Sequence, residues 1–200
     1  MVRKWRTWGT CRRWASGLAL VGATAALYVI PACSSKPDGG AGALTAGAMQ
    51  GLTLESGAPE APAAPFTDAA GKTHTLAEFK GRAVVLNLWG TFCAPCVAEM
   101  PTLAKLAHET EGQPVVVLPV SVDPEGERAN AEAFLARSPG LTFYSDPDYG
   151  LAFGLKPPVA GLPTTILIDR DGVVRARVAG GADWSGPAAL KVVQALERAG

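Results

Sequence analysis

The chain reads Leu88-Trp89-Gly90-Thr91-Phe92-Cys93-Ala94-Pro95-Cys96 at the end of an apolar run that begins at Ala83. A pattern of helical spacing follows the second cysteine, so the pair lies where a strand gives way to a helix. The helix dipole favours the thiolate form of a cysteine at the helix N-terminus, and a second thiol one turn later can attack a mixed disulfide formed on the first. The stretch therefore predicts a site of thiol–disulfide exchange, with Cys93 as the nucleophile and Cys96 as the resolving thiol.

Strand and helix patterns alternate on both sides of this site. In chain order they predict a hairpin turning at 68–71, a strand 83–89, a helix 94–110, a strand 114–121, a helix 127–137, a short strand 141–144, a short helix 148–155, two strands at 164–168 and 173–178, and a final helix to about 198. Helices between strands favour a parallel sheet, and the late hairpin adds antiparallel strands. The predicted class is α/β, with a central mixed sheet flanked by helices, an N-terminal hairpin and a central β-α insertion. This is the order of a thioredoxin-like sandwich.

The N-terminal part of the chain is typical of an export signal. Residues 1–13 contain five basic residues and no acid, and residues 14–35 contain no charge. We therefore expect a basic cytoplasmic region followed by a membrane anchor or signal segment, with the catalytic domain on the periplasmic side of the inner membrane. An uncleaved anchor is favoured, because Pro31 makes both signal cleavage and lipidation at Cys33 less suitable. A cleaved signal peptide and a lipoprotein stay as alternatives.

The remaining chain divides into a linker and one domain. Residues 36–65 are rich in Gly, Ala and Pro and are predicted to be a tether, with a short strand possible at 50–55. Residues 66–200 are predicted to form the folded domain. Five of the eighteen basic residues precede residue 14, so the rest of the chain has thirteen basic and eighteen acidic residues, a net charge of minus five. This acidic balance argues against a nucleic-acid partner.

The four cysteines limit the metal and cofactor chemistry. Cys11 and Cys33 lie in or beside the export signal, which leaves only Cys93 and Cys96 in the domain. A four-thiolate zinc site would need a second pair, and a haem attachment site would need His in place of Val97. We expect no metal and no cofactor. Because Ala94 and Pro95 place no cation between the thiols, the pair is expected to be a reductant and not an oxidant.

The chain resembles the membrane-anchored, periplasmic thioredoxin-like thiol:disulfide reductases of the TlpA, ResA and CcmG type. The motifs that carry the resemblance are Asn87-Leu88-Trp89-Gly90-Thr91-Phe92-Cys93-Ala94-Pro95-Cys96, Glu99-Met100-Pro101 and Gly161-Leu162-Pro163-Thr164. The run Gly180-Gly181-Ala182-Asp183-Trp184 is most similar to the TlpA type. The resemblance implies a reductase of cysteine pairs in exported proteins, in cytochrome c or cytochrome oxidase copper-site maturation. It also implies a membrane thiol transporter as the electron donor.

The resemblance also implies roles for residues outside the cysteine pair. Pro163 matches a cis-proline that faces the disulfide, and the backbone of Leu162 would pair with an extended partner chain. Glu99 matches an acid that adjusts proton transfer at the thiols; the alternative is an ordinary solvated helix acid. A substrate groove is expected along Trp89, Phe92, Pro95 and Leu162. Phe92 stands where these families usually have Trp.

Two other functions are less well supported by the residues. A copper chaperone of this fold would use Cys-x-x-x-Cys and a distal His, and neither is present. A thiol peroxidase would need Thr-x-x-Cys preceded by Pro, but Ala94 stands at the Cys position and Asn87 at the Pro position. His74 and His108 are distant from Cys93 in sequence and are predicted to be surface residues.

Overall fold

The computed structural model describes residues 49–199, which form one eight-stranded sheet with helices on both faces. The strands are β1 (Leu52–Leu54), β2 (Phe66–Asp68), β3 (Thr73–His74), β4 (Ala83–Trp89), β5 (Val115–Ser121), β6 (Tyr144–Ser145), β7 (Thr164–Ile168) and β8 (Val174–Ala179). The helices are α1 (Ala94–Glu109), α2 (Arg128–Leu135), α3 (Gly150–Gly154) and α4 (Pro187–Arg198). Short 3-10 turns cover Leu76–Phe79 and Glu125–Glu127.

The sheet is mixed, in the order β1-β8-β7-β4-β5-β6-β2-β3. Strand β4 lies in the centre, parallel to β5 and antiparallel to β7. All seven of its residues are buried, as expected for an apolar, β-branched strand covered on both faces. Because β4 runs directly into the Cys93–Cys96 turn, the sheet places the cysteines at the edge formed by the ends of β4 and β5.

Two apolar cores fill the two faces of the sheet. One joins the inner faces of α1, α2 and α4 to alternate strand residues such as Val85, Trp89 and Leu167, and it includes both cysteines. The other joins α3 and the first 3-10 turn to the opposite strand residues, such as Leu86 and Ile166. The α/β class, the mixed sheet, the opening hairpin at 68–71 and the β6–α3 insertion are all as predicted.

The folded region begins before residue 66, so the predicted boundary between tether and domain is wrong. Strand β1 pairs with β8 along Leu52 to Leu54, and Met49 and Leu52 are buried in the first core. Further along, Glu60 forms an isolated bridge with Val173. The short strand that the sequence allowed at 50–55 is present as β1, and it is stabilised by its long-range partner.

The predicted basic region, the anchor and the first part of the tether, with Cys11 and Cys33, lie outside the described residues. Across residues 49–199, each helix is too short or too polar to traverse a bilayer.

Candidate redox site

Cys93 and Cys96 form a disulfide at the start of α1. Cys93 is the N-cap of the helix, and its Sγ accepts a hydrogen bond from the Cys96 amide at 3.3 Å. The Cys93 residue is 8% exposed, whereas Cys96 is fully buried. Cys93 is therefore the more accessible of the two cysteines to a partner protein, and its role as the nucleophile stays a prediction.

A buried carboxylate holds the loop that precedes Cys93. Asp123, just after β5, accepts hydrogen bonds from the Thr91 amide at 3.0 and 3.1 Å and from the Thr91 hydroxyl at 2.6 Å. The Ser121 hydroxyl donates to the same carboxylate at 2.7 Å. Asp123 is 1% exposed. These bonds anchor the backbone two residues before the nucleophile, so Asp123 positions the loop that carries Phe92.

The exposed surface around Cys93 is apolar. Phe92 is 64% exposed, Ala94 and Pro95 are exposed, and Leu162 is half-buried. These side chains can contact a partner protein, as the predicted groove requires. Trp89 cannot, because it is fully buried and its ring packs on Phe134 with 5.5 Å between centroids. The prediction that Trp89 lines the groove is wrong, since the alternation of β4 turns this side chain into the first core.

The loop that ends at Pro163 lies beside the start of α1. The Leu162–Pro163 peptide bond is cis, as the resemblance implies. The Pro163 carbonyl accepts a hydrogen bond from the Gly180 amide at 2.9 Å. The next residue, Gly181, lies so close to Pro95 that an added Cβ would be 3.4 Å from the Pro95 Cβ. Gly180 and Gly181 therefore connect this loop to the turn between the cysteines. The Lys156–Pro157 bond is also cis, which the sequence did not predict.

Glu99 is buried one turn after Cys96 and is 4% exposed. Its carboxylate accepts hydrogen bonds from the Asn87 side-chain amide at 2.8 Å and from the Ala182 amide at 2.9 Å. Burial raises the pKa of Glu99, and the Ala182 amide, the Asn87 amide and the Trp184 side chain oppose that rise. The alternative of a solvated helix acid is therefore wrong. Asn87 is also bonded to the Thr165 hydroxyl at 2.9 Å, so β4 and β7 together orient the amide that faces Glu99.

Asp123 and Ser121 are the residues near the site that the sequence analysis missed. A signal for them was present, because Ser121 ends a predicted strand and Asp123 follows it. The carboxyl ends of neighbouring parallel strands meet at one sheet edge. This rule would have placed a polar residue just past β5 beside the end of β4.

The two histidines lie away from the disulfide in sequence, and only one of them is a surface side chain. His108 is 82% exposed. His74 is half-buried, with its two ring nitrogens 3.0 Å from Asp68 and 2.9 Å from Glu78. The pKa of His74 is raised, first by Asp68 and then by Glu78. Among residues 49–199 there is no group of three His, Cys, Asp or Glu side chains that could hold a metal ion.

A disulfide at a helix N-terminus, on a mixed sheet with helices on both faces and with a cis-proline loop beside it, defines a thiol:disulfide oxidoreductase of the thioredoxin-like fold. Comparisons with known proteins agree. The chain is 40% identical over 125 residues to the thiol-disulfide oxidoreductase ResA of Geobacillus thermodenitrificans, covering 60% of this chain and 67% of that protein. ResA is one of the three types that the sequence motifs resemble.

Solved structures support the same assignment. A thiol:disulfide interchange protein assigned as DsbE, from Chlorobium tepidum, superposes with a TM-score of 0.59 at 27% identity, covering 72% of this chain and 99% of that one. A thiol-disulfide oxidoreductase of Bacteroides vulgatus gives a TM-score of 0.57 at 27% identity, with 71% and 99% covered. The family model named Redoxin matches residues 55–193. The chain belongs to the redoxin family.

Proposed function

We propose that this protein works as a reductase of disulfides in exported proteins. The observation that carries the proposal is the Cys93–Cys96 disulfide at the start of α1, with only Ala94 and Pro95 between the sulfurs. A thiolate stabilised by a nearby cation makes an oxidant, because the reduced form is then favoured. Because Ala94 and Pro95 carry no charge, they add nothing to the stabilisation that the helix N-terminus gives the Cys93 thiolate. The dithiol therefore passes its electrons on readily.

The reaction starts from the reduced protein. The Cys93 thiolate attacks one sulfur of the partner disulfide, forming a mixed disulfide and releasing the partner's other sulfur as a thiolate. Cys96 loses its proton and attacks the Cys93 sulfur, which forms the internal disulfide and releases the second partner thiol. The partner gains two electrons and two protons. A dithiol of a second protein then reduces the internal disulfide by the same two steps in reverse.

Glu99 supports the step in which Cys96 must lose its proton. Cys96 is fully buried, so water cannot easily accept that proton. Glu99 lies one helical turn away, and burial raises its pKa, which favours its uptake of a proton. A groove of about 590 Å³, lined in part by Pro95, Glu99 and Ala182, lies on the outer side of this carboxylate. It provides a route for the proton to the surface.

The location and the partners are part of the same proposal. The five basic residues before an uncharged segment at 14–35 support an anchor in the inner membrane, with the domain in the periplasm. A membrane thiol transporter would supply the electrons. The motif resemblance supports apocytochrome c or copper-site assembly proteins of cytochrome oxidase as substrates, and the apolar collar of Phe92, Pro95 and Leu162 suits a protein partner.

The test combines a redox potential with a trapping experiment. We expect a potential nearer the roughly −270 mV of thioredoxin than the roughly −120 mV of a strong oxidant. A value above about −150 mV would reject the reductase assignment. The Cys96→Ala variant should accumulate mixed disulfides with its substrates through Cys93, which mass spectrometry identifies. The double variant Cys93→Ala/Cys96→Ala is the matched control and should trap nothing.

A further inference from the structure

A nearly buried ion pair connects the N-terminal segment to the loop beside the disulfide. Arg177 of β8 pairs through Nε with the Glu55 carboxylate, and the two side chains are 11% and 12% exposed. Another nitrogen of the same guanidinium, Nη1, donates to the Pro157 carbonyl. One side chain thus contacts both the residue after β1 and the first part of the loop between α3 and β7.

We call the segment from Lys156 to Pro163 the proline loop. Its backbone is also held at Val159, whose amide donates to the Ala152 carbonyl at 3.0 Å. The Gly161 carbonyl accepts from the Thr164 hydroxyl at 2.7 Å. Near the disulfide the Pro163 carbonyl accepts from Gly180. These three contacts come from elements next to the loop in sequence or in the sheet. Of these four contacts, only the Arg177 contact is made by a side chain that is itself paired with a residue of the N-terminal segment, Glu55.

The same side chain forms part of a surface groove. A cavity of about 300 Å³ lies between the proline loop and the end of β8, and its lining includes Val159, Leu162, Pro163, Thr164, Arg177 and Gly180. The groove therefore shares Leu162 with the collar around Cys93. Because Pro158 and Val159 line one side of the groove and Arg177 the other, a shift of the loop relative to β8 changes the width of the groove.

We propose that Glu55 and Arg177 are positioning residues for protein substrates. This inference rests on the proposed function, because it assumes that partners bind along the proline loop. Neither side chain is bonded to the cysteines; each acts through the loop. Removing one partner leaves the other charge buried and unpaired, and the start of the loop loses its contact with β8. The loop should then be less ordered before a partner binds, so part of the free energy of binding is used to order it.

The test compares Arg177→Met and Glu55→Gln with Arg175→Met. Arg175 lies two residues earlier, on the same face of β8. It also forms an ion pair, but its partner is Asp169, and this pair lies away from the proline loop. For reduction of insulin disulfides we expect Arg177→Met to raise KM on the order of tenfold with kcat nearly unchanged. Glu55→Gln should raise KM less. Arg175→Met should leave KM unchanged, and reduction of a small disulfide such as oxidised glutathione should not change in any variant.

Hydrogen exchange provides a readout that does not depend on activity. The Val159 amide should exchange faster in Arg177→Met and Glu55→Gln than in Arg175→Met, while the redox potential of the disulfide stays the same. Equal exchange and equal KM in the three variants would overturn the inference, as would an equal loss against oxidised glutathione. If the unaltered protein fails to reduce insulin, the proposed function fails, and the exchange rates still decide whether the ion pair orders the loop.

Discussion

Two buried carboxyl groups lie on opposite sides of the cysteine turn, and their surroundings differ. Asp123 receives hydrogen bonds from three donors, the amide and hydroxyl of Thr91 and the hydroxyl of Ser121. The Glu99 carboxylate accepts hydrogen bonds from the Asn87 side-chain amide and the Ala182 amide, and the Trp184 side chain also lowers its pKa, yet burial raises that pKa overall. Both are at most 4% exposed. Burial alone therefore does not decide what a carboxyl group does in this site.

The two carboxyl groups hold different parts of the site. Asp123 joins the loop before Cys93 to the end of β5, because its donors are Thr91 and Ser121. Glu99 lies on α1 one turn after Cys96, and burial raises its pKa. Asp123 should therefore act by holding Thr91, and Glu99 by taking up and releasing a proton.

The largest expected effect is on stability, at Asp123. The substitution Asp123→Ala leaves the Thr91 amide, the Thr91 hydroxyl and the Ser121 hydroxyl without their acceptor, at a cost of about 3 kcal/mol in the free energy of unfolding. Urea denaturation of the oxidised protein measures this. Asp148→Ala, at an exposed position, is the control and should change little. If Glu99→Gln destabilises the protein as much as Asp123→Ala, the distinction between the two carboxyl groups is wrong.

The next effect is kinetic, at Glu99. Glu99→Gln keeps the shape and removes the charge that disfavours a nearby thiolate, so the pKa of Cys93 should fall. Resolution of the mixed disulfide should slow by on the order of tenfold, because Cys96 loses its proton acceptor. Ultraviolet thiolate absorbance gives the first quantity and stopped-flow mixing with a disulfide substrate gives the second. Glu111→Gln, at a side chain 81% exposed, removes the same charge from the surface as a control. Superimposable titration curves for Glu99→Gln and the unaltered protein would remove Glu99 from the mechanism.

The sequence predicted the parts of the site that local patterns specify. The apolar run of β4, the helical spacing after Cys96 and the turn residues at 68–71 and 169–172 each act within a few neighbouring residues, and the structure has each of these elements. Cys93, Cys96 and Pro163 were placed by motif. The sequence left Glu99 open between an acid that acts on the thiols and a solvated helix acid, and its burial excludes the second.

The sequence did not predict contacts that depend on pairing between distant segments. Strand β1 exists because β8 pairs with it, more than a hundred residues later. Asp123 reaches Thr91 only because β4 and β5 are parallel neighbours. Trp89 was assigned to the groove because it is next to Gly90 and the cysteine turn, but strand alternation directs its ring inward onto Phe134. Register and pairing, not residue type, determined each of these three outcomes.

A pH dependence of stability should follow from the raised pKa of Glu99. The pKa of Glu99 is raised above its ordinary value of 4.5, so the folded protein binds this proton more tightly than the unfolded chain does. The stability linked to this proton is fully present below pH 4.5 and is lost as pH rises through the raised pKa. Glu99→Gln removes that loss, so the variant should gain stability relative to the unaltered protein as pH rises, on the order of 1 kcal/mol. Urea midpoints of the oxidised proteins at a series of pH values measure it. A constant difference across that range would contradict the assignment.

The smallest effect is expected at the opening hairpin, where exposed carboxyl groups behave in the opposite way to Glu99. His74 lies between Asp68 and Glu78. Its side chain lowers the pKa of both acids, and the two acids raise the pKa of His74 above its ordinary value of 6.5. The protonated His74 stabilises the fold fully below pH 6.5, and this contribution is lost as pH rises through the raised pKa. His74→Gln should therefore reduce the loss of stability that occurs as pH rises above 6.5. The effect of Glu99→Gln on stability should instead begin at about pH 4.5. His108→Gln, on a side chain 82% exposed, is the control. Thermal unfolding of the oxidised variants across this range is the measurement, and an unchanged slope in His74→Gln would show that solvent screens this surface network completely.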